Sequence, residues 1–89
     1  AYHLYTYDTA LDVPAGVILK DAREILPEEA IFTYQRGKAK GGVSGFADWF
    51  RYALLAQKGG WWCDTDIICL RPFRFESPLV LASERHWLW

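Results

Sequence analysis

The chain has 89 residues, room for one small domain. It is 52% hydrophobic and 24% charged, which excludes disorder along its whole length, and a net charge of −1 offers no global field for nucleic acid or an anionic membrane surface. No apolar run approaches the length of a membrane helix, and there is no signal-peptide pattern. The aromatic share is high at 17%, with five Trp, five Tyr and five Phe. So small a body hides only about 60% of its unfolded surface. This load therefore predicts a piece of a larger domain, or a body that packs on a partner.

In chain order, residues 2–7 alternate aromatic and polar side chains and read as a strand. Residues 8–16 hold Asp12, Pro14 and Gly16 and read as a loop. Val17-Ile18-Leu19-Lys20 is a short apolar run, predicted as a second strand. Asp21 is placed to cap a helical turn over residues 22–26, with Glu24 in the capping-box position and Pro27 as the stop. Residues 28–34 are read as irregular or helical.

Residues 35–45 form a loop with Arg36, Lys38 and Lys40 among Gly37, Gly41, Gly42 and Gly45. Such a loop is able to cradle phosphate on backbone N–H groups. It lacks the G-K-[ST] of a P-loop, and a solvated loop is the simpler reading.

Residues 44–58 carry the best helix pattern. Ser44 is the expected N-cap, Asp48 lies near the positive end of the dipole, and Phe46, Phe50, Ala53, Leu54 and Gln57 recur at helical spacing. Gly59 is the expected stop. Asp48 and Arg51, three apart, share one face. They read either as a surface ion pair or as a polar clamp half-buried among Phe46, Trp49, Phe50, Leu54 and Leu55.

Residues 61–63, 67–70 and 79–82 read as further strands, with Arg71-Pro72-Phe73 ending the second of them. Strands alternating with helical segments indicate an α/β layer, with mixed or mostly parallel pairing and flanking helices. Ligands in such sheets bind at the carboxyl ends of strands, and Asp64 sits at one of these ends.

Asp64-Thr65-Asp66 places two carboxylates inside an apolar stretch. Half-buried carboxylates are costly without a cation. A hard divalent ion, shared with phosphate oxygens, is the natural partner. An acid pair alone is also common in solvated turns. Cys63 and Cys69 bracket the acids without zinc-ligand spacing. A disulfide between them needs a tight reversal at the acids. Free, buried cysteine is the simpler reading and favours a reducing compartment.

Together, residues 44–52 (SGFADWFRY), 59–66 (GGWWCDTD) and 70–72 (LRP) resemble the DXD-containing sugar-transferase family. That family includes capsular polysaccharide glycosyltransferases, yeast-type initiating mannosyltransferases and α-1,4-glycosyltransferases. The resemblance runs from about Phe46 to Phe73, with a fainter match at residues 5–8, 13–14 and 21–22. It implies a partial GT-A (Rossmann-like) nucleotide-sugar-binding layer, with residues 1–89 as one domain forming the central donor-binding part of the catalytic domain. The implied reaction moves a hexose from a UDP- or GDP-linked sugar to a glycan or other hydroxyl acceptor, with retention, as in polysaccharide biosynthesis. The implied cofactor is Mn²⁺ or Mg²⁺; the location expected, from the unpaired-looking cysteines and the lack of an apolar anchor run alone, is the cytoplasm if the source is bacterial, or the Golgi lumen if it is eukaryotic.

Residue by residue, Asp64 and Asp66 match the acids that hold the metal and the donor's ribose and phosphates, with Asp66 the more direct ligand. Asp48 and Arg51 match a helix pair at the donor's sugar and phosphates. Gly59 and Gly60 match the stop that lets the next strand run beside the donor. Trp62 stands where the commoner pattern has Tyr. It can stack on a sugar or base but donates only an indole N–H.

No catalytic base is assigned, since a transfer assisted by the leaving phosphate needs none from the protein. His3, His86, Glu76 and Glu84 are candidates only by default, with Glu84 slightly ahead because it follows an apolar run. Two other readings stand beside this one. One is a non-enzymatic carbohydrate-binding module with Trp61, Trp62, Trp87 and Trp89 as platforms. The other is an interaction fragment whose acids merely solvate a turn.

Overall fold

The computed structural model describes residues 2–82. Two strands, β1 (Tyr2–Thr6) and β2 (Val17–Asp21), pair in parallel, in register from Tyr2 opposite Val17 to Thr6 opposite Asp21. Parallel strands are usually joined by a crossover of about a dozen residues or more, often a helix. Here residues 7–16 make the connection without one. Two local turns shorten the path. Leu11 N–H bonds Asp8 C=O at 3.2 Å, and Val17 N–H bonds Pro14 C=O at 3.2 Å. Gly16, at φ 89°, takes the left-handed position that closes the second turn.

Asp21 ends β2 and caps the next turn as expected, its carboxylate accepting from Arg23 N–H at 3.0 Å. The turn is a short 3₁₀ segment, Ala22–Glu24, and a second one, Glu28–Ala30, follows Pro27. Ser44–Lys58 forms the α-helix α1. The N-cap, however, is Val43. Ser44 already lies within the first turn, so its hydroxyl makes no capping bond, and Asp48 falls beyond that turn. The helix N-terminus is instead pressed under the 32–34 segment. A Cβ on Gly45 would lie 2.9 Å from Tyr34 Oη and 3.1 Å from the Phe32 ring.

The core forms where α1 meets the strands. Ala22, Ile25, Phe46 and Phe50 are its buried residues, with Tyr5, Tyr7, Leu26, Ala30, Ala53 and Leu54 packed around them. Phe46, Phe50, Ala53 and Leu54 are the expected apolar stripe, while Gln57 faces solvent. The contacts are largely aromatic. Phe50 lies 6.2 Å from both Tyr5 and Tyr7, and Phe46 lies 6.2 Å from Tyr7 and 6.0 Å from Phe32, mostly tilted or edge-on as ring quadrupoles prefer.

The strands predicted over residues 61–63, 67–70 and 79–82 do not form. Among the described residues the sheet has two strands only. A strand exists by pairing its backbone with a neighbour, and among the described residues no strand but β2 pairs with β1. The apolar runs are left on the surface, with Ile68 85% and Leu70 89% exposed. The two-stranded parallel sheet and single helix are compatible with part of an α/β layer; the fuller GT-A sheet is not among the described residues.

Arg23 ties the strand connection to the turns. It donates to Tyr7 C=O at 3.1 Å, to Asp21 at 3.2 Å and to Glu28 at 2.7 Å. Bonds from the Arg23 backbone N–H and then its guanidinium hold the Asp21 carboxyl below its ordinary range. Burial raises the Tyr7 phenol, opposed by Arg23, while its hydroxyl donates to Leu26 C=O at 2.8 Å.

Two tests follow from this architecture. Gly59 ends α1 at φ 67°, ψ −160°, a region open in practice only to glycine, and donates its N–H to Leu55 C=O at 2.8 Å. Gly59→Ala is expected to cost about 1–3 kcal/mol, a fall of roughly 5–20 °C in Tm by thermal melting. For Asp21, a lowered folded pKa means its contribution to stability is present above its unfolded pKa of about 3.9 and is lost as pH falls through the folded value. Tm measured from about pH 6 to pH 3 should therefore fall, and Asp21→Asn should make that acid limb shallower.

Candidate functional site

The main concavity is a cleft of about 1180 Å³. One wall is β1 from Tyr2 to Tyr5 with Lys20 and Glu24. Its floor is the last two turns of α1, through Phe50, Leu54 and Lys58. The far wall is the extended segment from Gly59 to Asp66, with Phe73 behind it. Gly59 and Gly60 both have positive φ, 67° and 89°, so the chain leaves the helix sharply and runs back along the cleft. This places Trp62, Asp64 and Asp66 on one wall.

The acids are exposed, and not half-buried as the sequence suggested. The apolar residues around them turn outward instead of closing over them, because no strand covers that side. Thr65 and Asp66 form a turn. Trp62 Nε1–H donates to Asp64 Oδ1 at 3.3 Å. Among the described residues no Lys or Arg pairs with either acid, and Asp66 accepts no hydrogen bond. Two adjacent carboxylates with uncompensated charge on a cleft wall suit a hard cation. No group of three or more His, Cys, Asp or Glu converges among the described residues. A metal would take its remaining ligands from water and phosphate, which is how Mg²⁺ and its like are usually held.

Asp48 and Arg51 pair as expected, Arg51 Nη2 to Asp48 Oδ1 at 3.1 Å, with the guanidinium 5.1 Å over the Tyr52 ring. The pair is a surface one, since the Asp48 side chain is 58% exposed. Neither residue lines the cleft. Asp48, Arg51, Leu55 and Lys58 recur along one stripe of α1, and only the last two reach the cleft. At about 1.5 Å rise per residue, Arg51 lies roughly 10 Å up the axis from Lys58.

The glycine- and lysine-rich loop is not in the cleft. It closes on itself through backbone hydrogen bonds. Gly41 N–H bonds Tyr34 C=O at 2.9 Å, Gly42 N–H bonds Ala39 C=O at 2.8 Å, and Tyr34 N–H bonds Gly42 C=O at 3.0 Å.

His3 lines the cleft and Glu76 is exposed elsewhere; Glu84, His86, Trp87 and Trp89 lie outside the described residues. Sequence reasoning passed over Lys20, Glu24 and Lys58 in the cleft walls, because no local pattern marks them. It also passed over the cluster of Trp61 with Phe73 at 4.8 Å and Phe75 at 5.3 Å, which returns the chain to the far wall. The alternation of Phe73 and Phe75 was its only sequence signal.

Comparison with known families settles the class. The family described as "Glycosyltransferase sugar-binding region containing DXD motif" matches residues 6–87, so the chain belongs to this glycosyltransferase family, whose donors are nucleotide sugars. No curated protein and no solved structure matches the chain. No helix among the described residues is long and apolar enough to cross a membrane.

Both cysteines are free; Cys63 is half-buried, while Cys69 is exposed, with its thiol donating to Arg71 C=O. They are neither buried nor in strands, as the sequence had suggested, because strand formation fails on both sides of the acids. Under native conditions without reductant, Ellman's reagent is expected to titrate two thiols per chain, the faster one removed by Cys69→Ser.

Proposed function

We propose that this chain is the donor-binding part of a metal-dependent retaining glycosyltransferase, acting on a UDP- or GDP-linked hexose and delivering it to a glycan or other hydroxyl acceptor. The observation that supports this reading most directly is the position of Asp64 and Asp66 on the wall of the main cleft, exposed and without a cationic partner among the described residues. Asp66, with no hydrogen bond among the described residues, is the more direct metal ligand, and Asp64 shares the ion through the oxygen that Trp62 does not engage. A bound Mn²⁺ or Mg²⁺ supplies Lewis-acid neutralisation of the diphosphate leaving group.

The protein's share of the chemistry is positioning and charge. The Gly59-Gly60 reversal brings the extended segment beside the donor, and Trp62 offers a ring face to sugar or base. Arg51, held by Asp48, is a charge-assisted donor for the far end of the ligand. Preorganised charge at the departing phosphate is the main catalytic contribution in this scheme, and no protein base is required. The exposed apolar runs of residues 67–70 and 79–82 support the reading that residues 1–89 are a central part of a larger catalytic domain, because apolar patches of this kind mark surfaces that another body covers.

Mn²⁺ with UDP or GDP is expected to raise the Tm of the chain, since a ligand of the folded state stabilises it. At a hundred times Kd the gain is about 2.7 kcal/mol. Asp66→Ala should abolish this shift and Asp64→Ala should reduce it, while Arg51→Ala should weaken the nucleotide response and leave the response to Mn²⁺ alone unchanged. Sugar binding that persists in EDTA without nucleotide would identify a carbohydrate-binding module instead.

A further inference from the structure

Trp62 makes two kinds of contact at once. Its ring walls a small apolar groove of about 180 Å³ together with Tyr5, Tyr7, Phe46 and Phe50, the aromatic residues that join β1 to α1. Trp62 also lines the main cleft, and its single polar atom donates there to Asp64 Oδ1 at 3.3 Å. An indole has one donor and no acceptor, so once packing sets the ring plane the direction of that bond is set too. The alternation of side chains along an extended segment puts residues 62 and 64 on the same side, which brings the two within reach.

We infer that Trp62 is a positioning residue for the metal site. Its N–H holds Asp64 in one rotamer and occupies one carboxylate oxygen, leaving the other directed to the ion. This deepens the donor-site reading and rests on it. Metal-ligating carboxylates are commonly held by such outer hydrogen bonds, whose loss costs about 10–100-fold in metal affinity. The exposure of Asp64 puts the expected effect at the lower end, about tenfold. The indole N–H is thereby committed to the protein, so what Trp62 presents to a donor is its ring face.

The test separates the hydrogen bond from the bulk of the ring. Trp62→Phe keeps an aromatic ring without the N–H. Trp62→His restores an N–H, because imidazole Nε2 occupies the same ring position relative to Cγ as indole Nε1. In ¹⁵N-labelled protein the Trp62 indole signal, identified by its loss in Trp62→Phe, should move in Asp64→Ala and hold in Asp66→Ala. Titration with Mn²⁺ alone, followed by paramagnetic broadening of the Asp66 amide, should show affinity about tenfold weaker in Trp62→Phe and largely restored in Trp62→His. Unchanged thermal melting confirms that each variant folds; a His variant that does not is replaced by Trp62→Gln, which also keeps an N–H donor, and a Phe variant that does not by Trp62→Leu, which also lacks one. An indole signal indifferent to Asp64, or equal affinities in the Phe and His variants, overturns the positioning role while leaving the donor site standing. A wild-type chain that binds no Mn²⁺, with the indole still answering to Asp64, overturns the metal reading and the role built on it.

Discussion

Helix α1 lies against β1 through two phenylalanines, and everything else in the molecule takes its place from that contact. Phe46 and Phe50, one turn apart, meet Tyr5 and Tyr7, which lie two apart on and just beyond the strand. The two periods, about 3.6 for the helix and two for the strand, match only if the elements lie face to face. Ala22 and Ile25 close the same core from the turn after β2. Because few residues are buried, this small aromatic joint carries most of the apolar burial that holds sheet to helix.

The site follows from where that helix ends. Gly59 adopts a backbone conformation forbidden in practice to other residues, and Gly60 again has positive φ, so the chain reverses into an extended segment facing β1. The cleft is the space between them. Its acids need no burial to be useful. Exposure spares them the desolvation cost that a buried pair would carry, and leaves their charge open to the proposed cation. The Trp61–Phe73–Phe75 cluster folds the following chain back on the far wall, and Trp62 links that wall to the aromatic joint.

The Asp48–Arg51 pair shows how a motif can be right as a local interaction and still stand apart from the acids. Three-residue spacing on a helix brings the two side chains together whatever the tertiary fold. It does not bring them to the cleft, because they lie about two to three turns up α1 from Lys58. An extended ligand reaching from the D-x-D turn along the helix stripe is what would join the two, which agrees with the donor class of the family.

Local chemistry alone determined the helix over Ser44–Lys58, its glycine stop, the strands at Tyr2–Thr6 and Val17–Asp21, the Asp21 cap and the ion pair of Asp48 with Arg51. Each is settled by residues within a turn or so of one another. The ordered motif from Phe46 to Phe73 likewise pointed to the family before any coordinates. The tertiary structure decided what local chemistry cannot. Val43 displaced Ser44 as N-cap because the 32–34 segment presses on Gly45. The apolar runs flanking the acids stayed out of the sheet because a strand needs a partner that sequence pattern does not supply. Asp64 and Asp66 were left exposed for the same reason, and the Trp62–Asp64 bond depends on how Trp62 sits in a groove lined by residues of β1 and α1 far from it in sequence, from Tyr5 to Phe50.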